Sequence, residues 1–367
     1  MRGRILKYKM VENDLAEKIR KEFRPGDLLP SESALAREYG VSKKTIFLAV
    51  ESLKKYGLLR SEPKIGNYAI PMPQAKNAAE KKPLVLYAKR EEDSGAPTLQ
   101  WQKLVGSWDD YMLGKLRHSG CSVRLVPAHQ ISEGTVSSKM LEGIDAFLFS
   151  GMSVSFVRKE SLNFLWDLIG KVPGMIFMKD DGLPVACSQV FLDLNYAVRL
   201  CLEQTRNFPV DGCVIFYSTD SNNETRAQCV QRNAEIFGVP KIQPFAIPSR
   251  QNIYRRTLEL AEECRGKLIF VTSDMLSADI LRALEAQKMH PSVDFHLCSI
   301  DDMESLGVHP FSDLEITTIN YDRKKICDLA FEGLLQQLRK TDPQSFTAHV
   351  LVRSTLSIRR SAFAQST

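Results

Sequence analysis

A chain of 367 residues, 44% hydrophobic and 25% charged, is too long for one ordinary domain and apolar enough for two or three packed ones, which excludes disorder as its main state. No run approaches the roughly 18 to 20 apolar residues that cross a bilayer, and the opening MRGRILKYKMVENDLAEK has no apolar stretch before its acids begin; a cytoplasmic protein with no membrane partner is expected. The net charge is +5, yet residues 1–70 alone hold fifteen Lys and Arg against nine Asp and Glu, so the basicity belongs to the first fifth and points to nucleic-acid phosphates.

In chain order, the first clear elements lie in residues 30–70. Pro30 and Ser31 start a short helix with Ala34, Leu35 and Tyr39 on its apolar side, and Gly40 ends it in the left-handed conformation that glycine tolerates. Ser42 stands as the N-cap of a second helix, whose Ile46, Ala49, Val50 and Leu53 fall at i, i+3, i+4 and i+7 and face a core. Lys43, Lys44 and Phe47 project from the opposite side of its first turns, where a helix meets a major groove. Phe47 has two readings, contact with a thymine methyl or burial beneath a wing. Leu58 to Arg60 and Tyr68 to Ile70 flank a turn of Pro63, Lys64, Gly66 and Asn67, a small hairpin with Lys64 at its tip. Two short helices and a hairpin form a winged helix-turn-helix, spanning residues 1–70. The candidate DNA contacts are Ser31, Ser33, Ser42, Lys43, Lys44, Thr45, Phe47, Lys64, Gly66 and Tyr68.

Residues 71–82, PMPQAKNAAEKK, read as a linker. From 83 onward, short apolar runs alternate with longer helical patterns, first through VPGMIFM and again from about 190 to DFHLCSI. Such βα repetition predicts an α/β fold of two lobes with parallel sheets, lobe 1 about 83–188 and 315–340 and lobe 2 about 189–314 and 341–361, with ligands collecting at the carboxyl ends of the strands. The eight cysteines are scattered, without C-x-x-C spacing, and are expected to be reduced and buried, with no metal and no cofactor.

The segment LPSESALAREYGVSKKTIFLAVESLKKYGLL, with the preceding PGDLLPSE entry at Pro25 to Glu32, resembles the DNA-binding domain of the GntR family of bacterial transcription regulators. It departs from that pattern at Ser33, Lys43 and Phe47, where the family commonly carries arginine, and in its wing. The docking mode is therefore implied, and the base preference is not. The remainder, from about 83 to 361, resembles the LacI-family effector domain, which shares the fold of type 1 periplasmic sugar-binding proteins. Val190 to Asp193, Ser273 and Asp274 in VTSDMLSADILRALEAQ, Ser299 to Asp302, Thr317 to Ile319 and the closing LSIRRS carry the likeness. Together the halves look like an arabinose-repressor type of regulator.

That resemblance implies an effector site. Arg226, following a strand end and the loop STDSNNET, lies where the family's sugar-contacting arginine lies, although it also reads as a surface arginine on a helix N-terminus. Asp301 ends an apolar strand, where a carboxylate has little structural purpose. Asp274 opens a helix, so ligand contact and capping both stay open. Ser273 stands in for an asparagine, and Tyr321 replaces a common glutamine and is expected to make the rim more apolar. Ser150 at a strand end, Asp180 after another and Trp101 in the first long loop complete the candidates.

No catalytic constellation emerges. Gly170-Lys171 and Gly266-Lys267 lack the upstream glycine of a P-loop, no H-E-x-x-H exists, Gly151 to Ser155 lacks the last glycine of a nucleophile elbow, and the pairs Asp180-Asp181 and Asp301-Asp302 would point apart. The reading is a non-enzymatic, ligand-responsive regulator, a repressor, acting as a homodimer on pseudo-palindromic operator DNA with a small carbohydrate as effector. Two alternatives stand beside it: a DNA-binding regulator whose α/β domain answers to a non-sugar ligand or a protein partner, and a sugar-binding transport receptor.

Overall fold

The computed structural model describes residues 7–24, 26–56, 58–62, 65–70, 82–90, 99–154, 159–180, 182–219, 221–248, 252–306, 314–339 and 347–363. Lys64 and nearly all of the expected linker, residues 71–81, lie outside them. Two compact units are distinguished, one of residues 1–87, 105–125 and 137–146, the other of residues 88–104, 126–136 and 147–367.

The first unit opens with three helices, α1 (Lys7–Glu22), α2 (Glu32–Glu38) and α3 (Lys43–Lys55), and an antiparallel ribbon of β1 (Leu59–Glu62) and β2 (Gly66–Ala69). Ile46, Ala49, Val50 and Leu53 are wholly buried, and they share one apolar cluster with Val11, Leu15, Ala16 and Ile19 of α1, a helix to which the sequence pattern assigns no role. On α2 the buried pair is Leu35 and Ala36, with Ala34 and Tyr39 only half-buried. The expected cap forms at Ser42, whose hydroxyl accepts from the Thr45 amide at 3.2 Å, and Ser31, expected inside the first turn, is itself the N-cap of α2, accepting from the Ala34 amide at 3.2 Å. Gly40, at φ +60°, closes α2 in the left-handed region.

The end of α3 packs on a further helix of the same unit, α4 (Leu99–His118). The Tyr56 ring stacks on Tyr111 and His118, with centroids 6.0 and 5.0 Å apart. A Cβ at Gly114 would sit 2.3 Å from Tyr56 Cε1, so only glycine admits this ring. Trp101 lies on α4, not in a loop as expected, and its side chain lies outside the described residues.

The remaining elements are β3 (Leu84–Lys89), β4 (Ser122–Pro127), α5 (Ala128–Glu133), α6 (Ser138–Leu141), β5 (Ala146–Ser150), α7 (Lys159–Ile169), β6 (Gly174–Lys179), β7 (Ser188–Leu192), α8 (Leu194–Gln204), β8 (Cys213–Ser218), α9 (Ser221–Ile236), β9 (Ile242–Ile247), α10 (Ile253–Glu259), α11 (Ala261–Cys264), β10 (Leu268–Val271), α12 (Asp274–Ala286), β11 (His296–Ile300), β12 (Thr317–Asn320), α13 (Arg323–Leu338), β13 (His349–Val352) and β14 (Thr355–Ser357). They build two six-stranded sheets, ordered β13-β7-β6-β5-β3-β4 and β14-β12-β11-β10-β8-β9. The second sheet is parallel except for its edge strand β14. The interior strands AFLFS and LIFV are buried at every position, as strands covered on both faces must be, whereas the edge strand β9 alternates and tolerates Pro244. All eight cysteines are buried, and burial pushes the thiols of Cys187, Cys213 and Cys264 up to about 12. Among the described residues no helix is long and apolar enough to cross a membrane.

The strands are shared between the sheets differently from the division expected in the sequence. β7 and β13 belong to the first sheet and β12 to the second. The chain changes sheets after β7, after β12 and after β13, so that α8 packs against β12 and β14 while α13 packs against β6 and β7. An apolar strand reads the same in either sheet, so composition carries no label for these crossings.

Candidate functional site

The DNA-reading face follows from the phase of α3. With its stripe turned inward, Lys43, Lys44 and Phe47 stand exposed, Phe47 at 49%, so the buried-wing reading of that ring does not hold. Leu48, which the sequence pattern does not single out, is exposed as well. Thr45 is half-buried, and its hydroxyl lies 2.9 Å from that of Ser42. Ser33 is half-buried on α2. In the wing, Gly66 has φ +145°, and an added Cβ would meet Leu28 Cδ1 at 3.0 Å. The Arg60 guanidinium lies 5.5 Å over the Tyr68 ring. Gly66 and Tyr68 thus shape the ribbon, while Lys43, Lys44 and Phe47 stand exposed on α3.

The second constellation gathers at the carboxyl ends of strands, inside the second unit. A bulge in β6, with Met178 at φ +56°, re-aims the chain so that Asp180 leaves the strand end turned inward. Arg226, near the start of α9, meets it edge-on, Nε donating to Asp180 Oδ2 at 2.6 Å and Nη2 to Oδ1 at 3.1 Å. Nη1 of the same side chain donates to the Thr272 carbonyl at 2.7 Å and to Asp301 Oδ1 at 3.2 Å. Ser273 Oγ donates to Asp301 Oδ2 at 2.9 Å and the Tyr321 hydroxyl to Oδ1 at 3.3 Å. Every one of these side chains is less than a tenth exposed. Burial opposes the charged guanidinium, yet the two carboxylates outweigh it and hold Arg226 well above the ordinary arginine range.

Asp301 and Asp302 both have positive φ, +120° and +51°, a conformation costing of order 1 to 3 kcal/mol each at a non-glycine residue. The surroundings hold it in place. Asp302 accepts from Arg359 at 2.7 Å, and Asp274 fastens the next residue and the neighbouring strand, its carboxylate accepting from the Met303 amide at 2.8 Å and the Thr318 hydroxyl at 2.9 Å. Asp274 therefore positions Asp301 and does not touch Arg226. Burial pushes its carboxyl up to about 7, and the charge of Asp301 adds to the shift.

Arg226, Asp180, Asp301, Ser273 and Tyr321 are thus brought together, Asp274 supports them from behind, and Ser150 is not joined to them: its hydroxyl accepts from the Met152 amide at 3.2 Å and closes the turn after β5. Tyr321 does not make the rim apolar, as its ring in place of glutamine suggests; its hydroxyl belongs to the network, and burial holds that hydroxyl up to about 12. Sequence reasoning misses Arg323, the first residue of α13, which is 3% exposed with its guanidinium 4.0 Å over the Tyr321 ring. The available signal is a cation on the first turn of a helix, where the macrodipole disfavours it.

Comparison with known proteins finds two separate matches along the chain. Residues 7–68 match the gntR family of bacterial regulatory proteins, and residues 213–362 match the periplasmic binding protein-like domain. A mannosyl-D-glycerate transport/metabolism system repressor from Escherichia coli is 40% identical over 62 residues, 17% of this chain and 26% of that protein, so the chain matches about a quarter of that relative's length. The lac repressor dimer bound to operator and an anti-inducer superposes with a TM-score of 0.59 at 15% identity, over 78% of this chain and 96% of that one. A LacI family regulator from Enterococcus faecium with bound ribose gives 0.55 at 15% identity, over 76% and 98%. Residues 7–68 thus match the gntR family of bacterial regulatory proteins and residues 213–362 the periplasmic binding protein-like domain, and over 78% of its length the chain shares the fold of the lac repressor.

Proposed function

We propose that this protein is a ligand-responsive transcription repressor that acts in the cytoplasm, binds pseudo-palindromic operator DNA as a homodimer through α3 and the wing, and takes a small carbohydrate at the Arg226 cluster. The observation that carries the reading is that cluster itself, because Asp180 leaves a strand of the first sheet while Arg226, Ser273 and Asp301 are carried by the second. A sugar offers hydroxyls that both donate and accept, and it can replace Asp180 on Arg226 only by altering how the two sheets are tied. An effector shifts operator affinity by its differential binding to the two arrangements, typically about 1 to 3 kcal/mol of coupling. The repressor from E. coli and the ribose-bound regulator support a repressor and a carbohydrate, respectively.

The test is a thermal-shift screen of the full chain against pentoses, hexoses, uronic acids and sugar phosphates, beside binding-site selection from random duplex DNA. At least one sugar is expected to raise Tm and to release the selected duplex. Intact DNA binding with no sugar response would reject the sugar sensor, and a selected site without two-fold symmetry would reject the homodimer.

A further inference from the structure

Arg323 opens α13 directly after its N-cap Asp322, within the run Arg323-Lys324-Lys325. Lys324 projects outward, with 58% of its side chain exposed, whereas Arg323 is folded inward beside Tyr321. A guanidinium cannot shed its proton to escape burial, so its donors need acceptors. Among the described residues its Nε and Nη2 have no hydrogen-bond partner. The near carboxylate is Asp301, whose Oδ1 lies 3.8 Å from Nη2, too far for a hydrogen bond. Asp301 is already engaged, Oδ1 by Arg226 and Tyr321 and Oδ2 by Ser273, and Asp180 is engaged edge-on by Arg226.

Nε and Nη2 form one edge of the guanidinium, the edge that Arg226 presents to Asp180. The same cluster therefore shows what fits such an edge: two oxygens of one acid group, at 2.6 and 3.1 Å. Two carboxylates, Asp180 and Asp301, balance the two guanidiniums. Once an entering ligand displaces Asp180, which the first sheet carries, the remaining set has a positive excess. A neutral sugar would leave that excess buried, and an acidic one would cancel it.

We propose that Arg323 determines effector specificity, its Nε and Nη2 edge receiving a carboxylate or phosphate, so that the effector is an acidic sugar. This rests on the carbohydrate reading of the Arg226 site. The experiment compares neutral hexoses and pentoses with their own uronic acids, aldonic acids and terminal phosphates, by thermal shift and calorimetry on the full chain, in wild type, Arg323→Gln and Arg323→Lys. An acid is expected to bind where its neutral parent does not, with the uronic and phosphate arms deciding which oxyanion is used. Arg323→Gln is expected to weaken it at least tenfold, and Arg323→Lys to weaken it less. Removing Arg323 leaves one buried carboxylate in excess, so the ligand-free Tm of Arg323→Gln is expected to fall; the ratio of acid to neutral-sugar affinity within each variant is the readout that a purely structural arginine would leave unchanged. Equal binding of a neutral sugar by wild type and Arg323→Gln would overturn the proposal and leave the sugar sensor standing. No response to any compound would overturn both.

Discussion

The two functional regions use charge in opposite ways. On the reading head the cations stand in water over a plain apolar core, and among the described residues Lys43 and Lys44 make no ion pair. In the Arg226 cluster the charges are buried, interlocked by hydrogen bonds at 2.6 to 3.2 Å, and supported by backbone held at positive φ. Exposed charges act through counterion release, which adds phosphate by phosphate and fades with salt. Buried ones act through geometry, where losing one partner strands the rest. The head should therefore tolerate charge removal in its fold and lose DNA, while the cluster should suffer in fold and response together.

The largest effect expected from this contrast is at Arg226. Arg226→Ala leaves Asp180 and Asp301 buried without their shared partner, and breaking a buried pair from one side costs about 3 to 5 kcal/mol. Urea denaturation measures it. Arg226→Lys keeps the charge and loses the edge-on pair with Asp180, so it should fall between alanine and wild type. A loss below about 1 kcal/mol in Arg226→Ala would mean that water reaches the cluster as it reaches the head.

The next effect is in pH dependence. Asp274, raised to about 7 in the folded protein, binds a proton there that the unfolded chain has already released. Its contribution is fully present below the ordinary carboxylate range and is lost as pH rises towards 7. Between about 4 and 7 this group should lower stability by up to about 1.4 kcal/mol per pH unit. Asp274→Asn should flatten that slope. Denaturation midpoints from pH 4 to 8 test it, and an identical slope in the two proteins would assign the proton elsewhere.

The fold is largely legible in the chain because its signals are local. The stripe Ile46, Ala49, Val50, Leu53 and the cap Ser42 are contained in one short segment, and runs such as AFLFS and LIFV announce buried strands without reference to anything distant. Asp193, part of the motif that opens the expected second lobe, acts as the N-cap of α8, accepting from the Tyr196 amide at 3.0 Å. The site is legible where resemblance supplies positions, at Arg226, Ser273 and Asp301, and illegible where burial decides. Arg323 sits among three consecutive cations, a pattern that reads as a solvated run until the fold turns one of them inward. Trp101 reads as loop because the helical pattern reads from residue 102, although Thr98, a residue type suited to an N-cap, directly precedes Leu99. The crossings between sheets leave no local trace, since β12 (TTIN) and β13 (HVLV) are both short strands rich in β-branched residues that would suit either sheet.

The smallest stability effect is expected where the DNA effect is plain. Lys43 and Lys44 lie on the outer face of the first turn of α3, exposed, while Ser42 caps the helix without them. The double substitution Lys43→Ala and Lys44→Ala should change the unfolding free energy by no more than about 0.5 kcal/mol, as surface changes away from caps and cores do. Every phosphate left without its cation should make the plot of log affinity against log salt shallower by about one, so the pair should remove about two. Fluorescence anisotropy on a selected duplex across a salt series gives the slope, and denaturation of the same sample gives the stability. An unchanged slope would detach these lysines from the phosphates. A loss of fold would be more damaging, because it would put structural charge on the head and erase the contrast with the buried cluster.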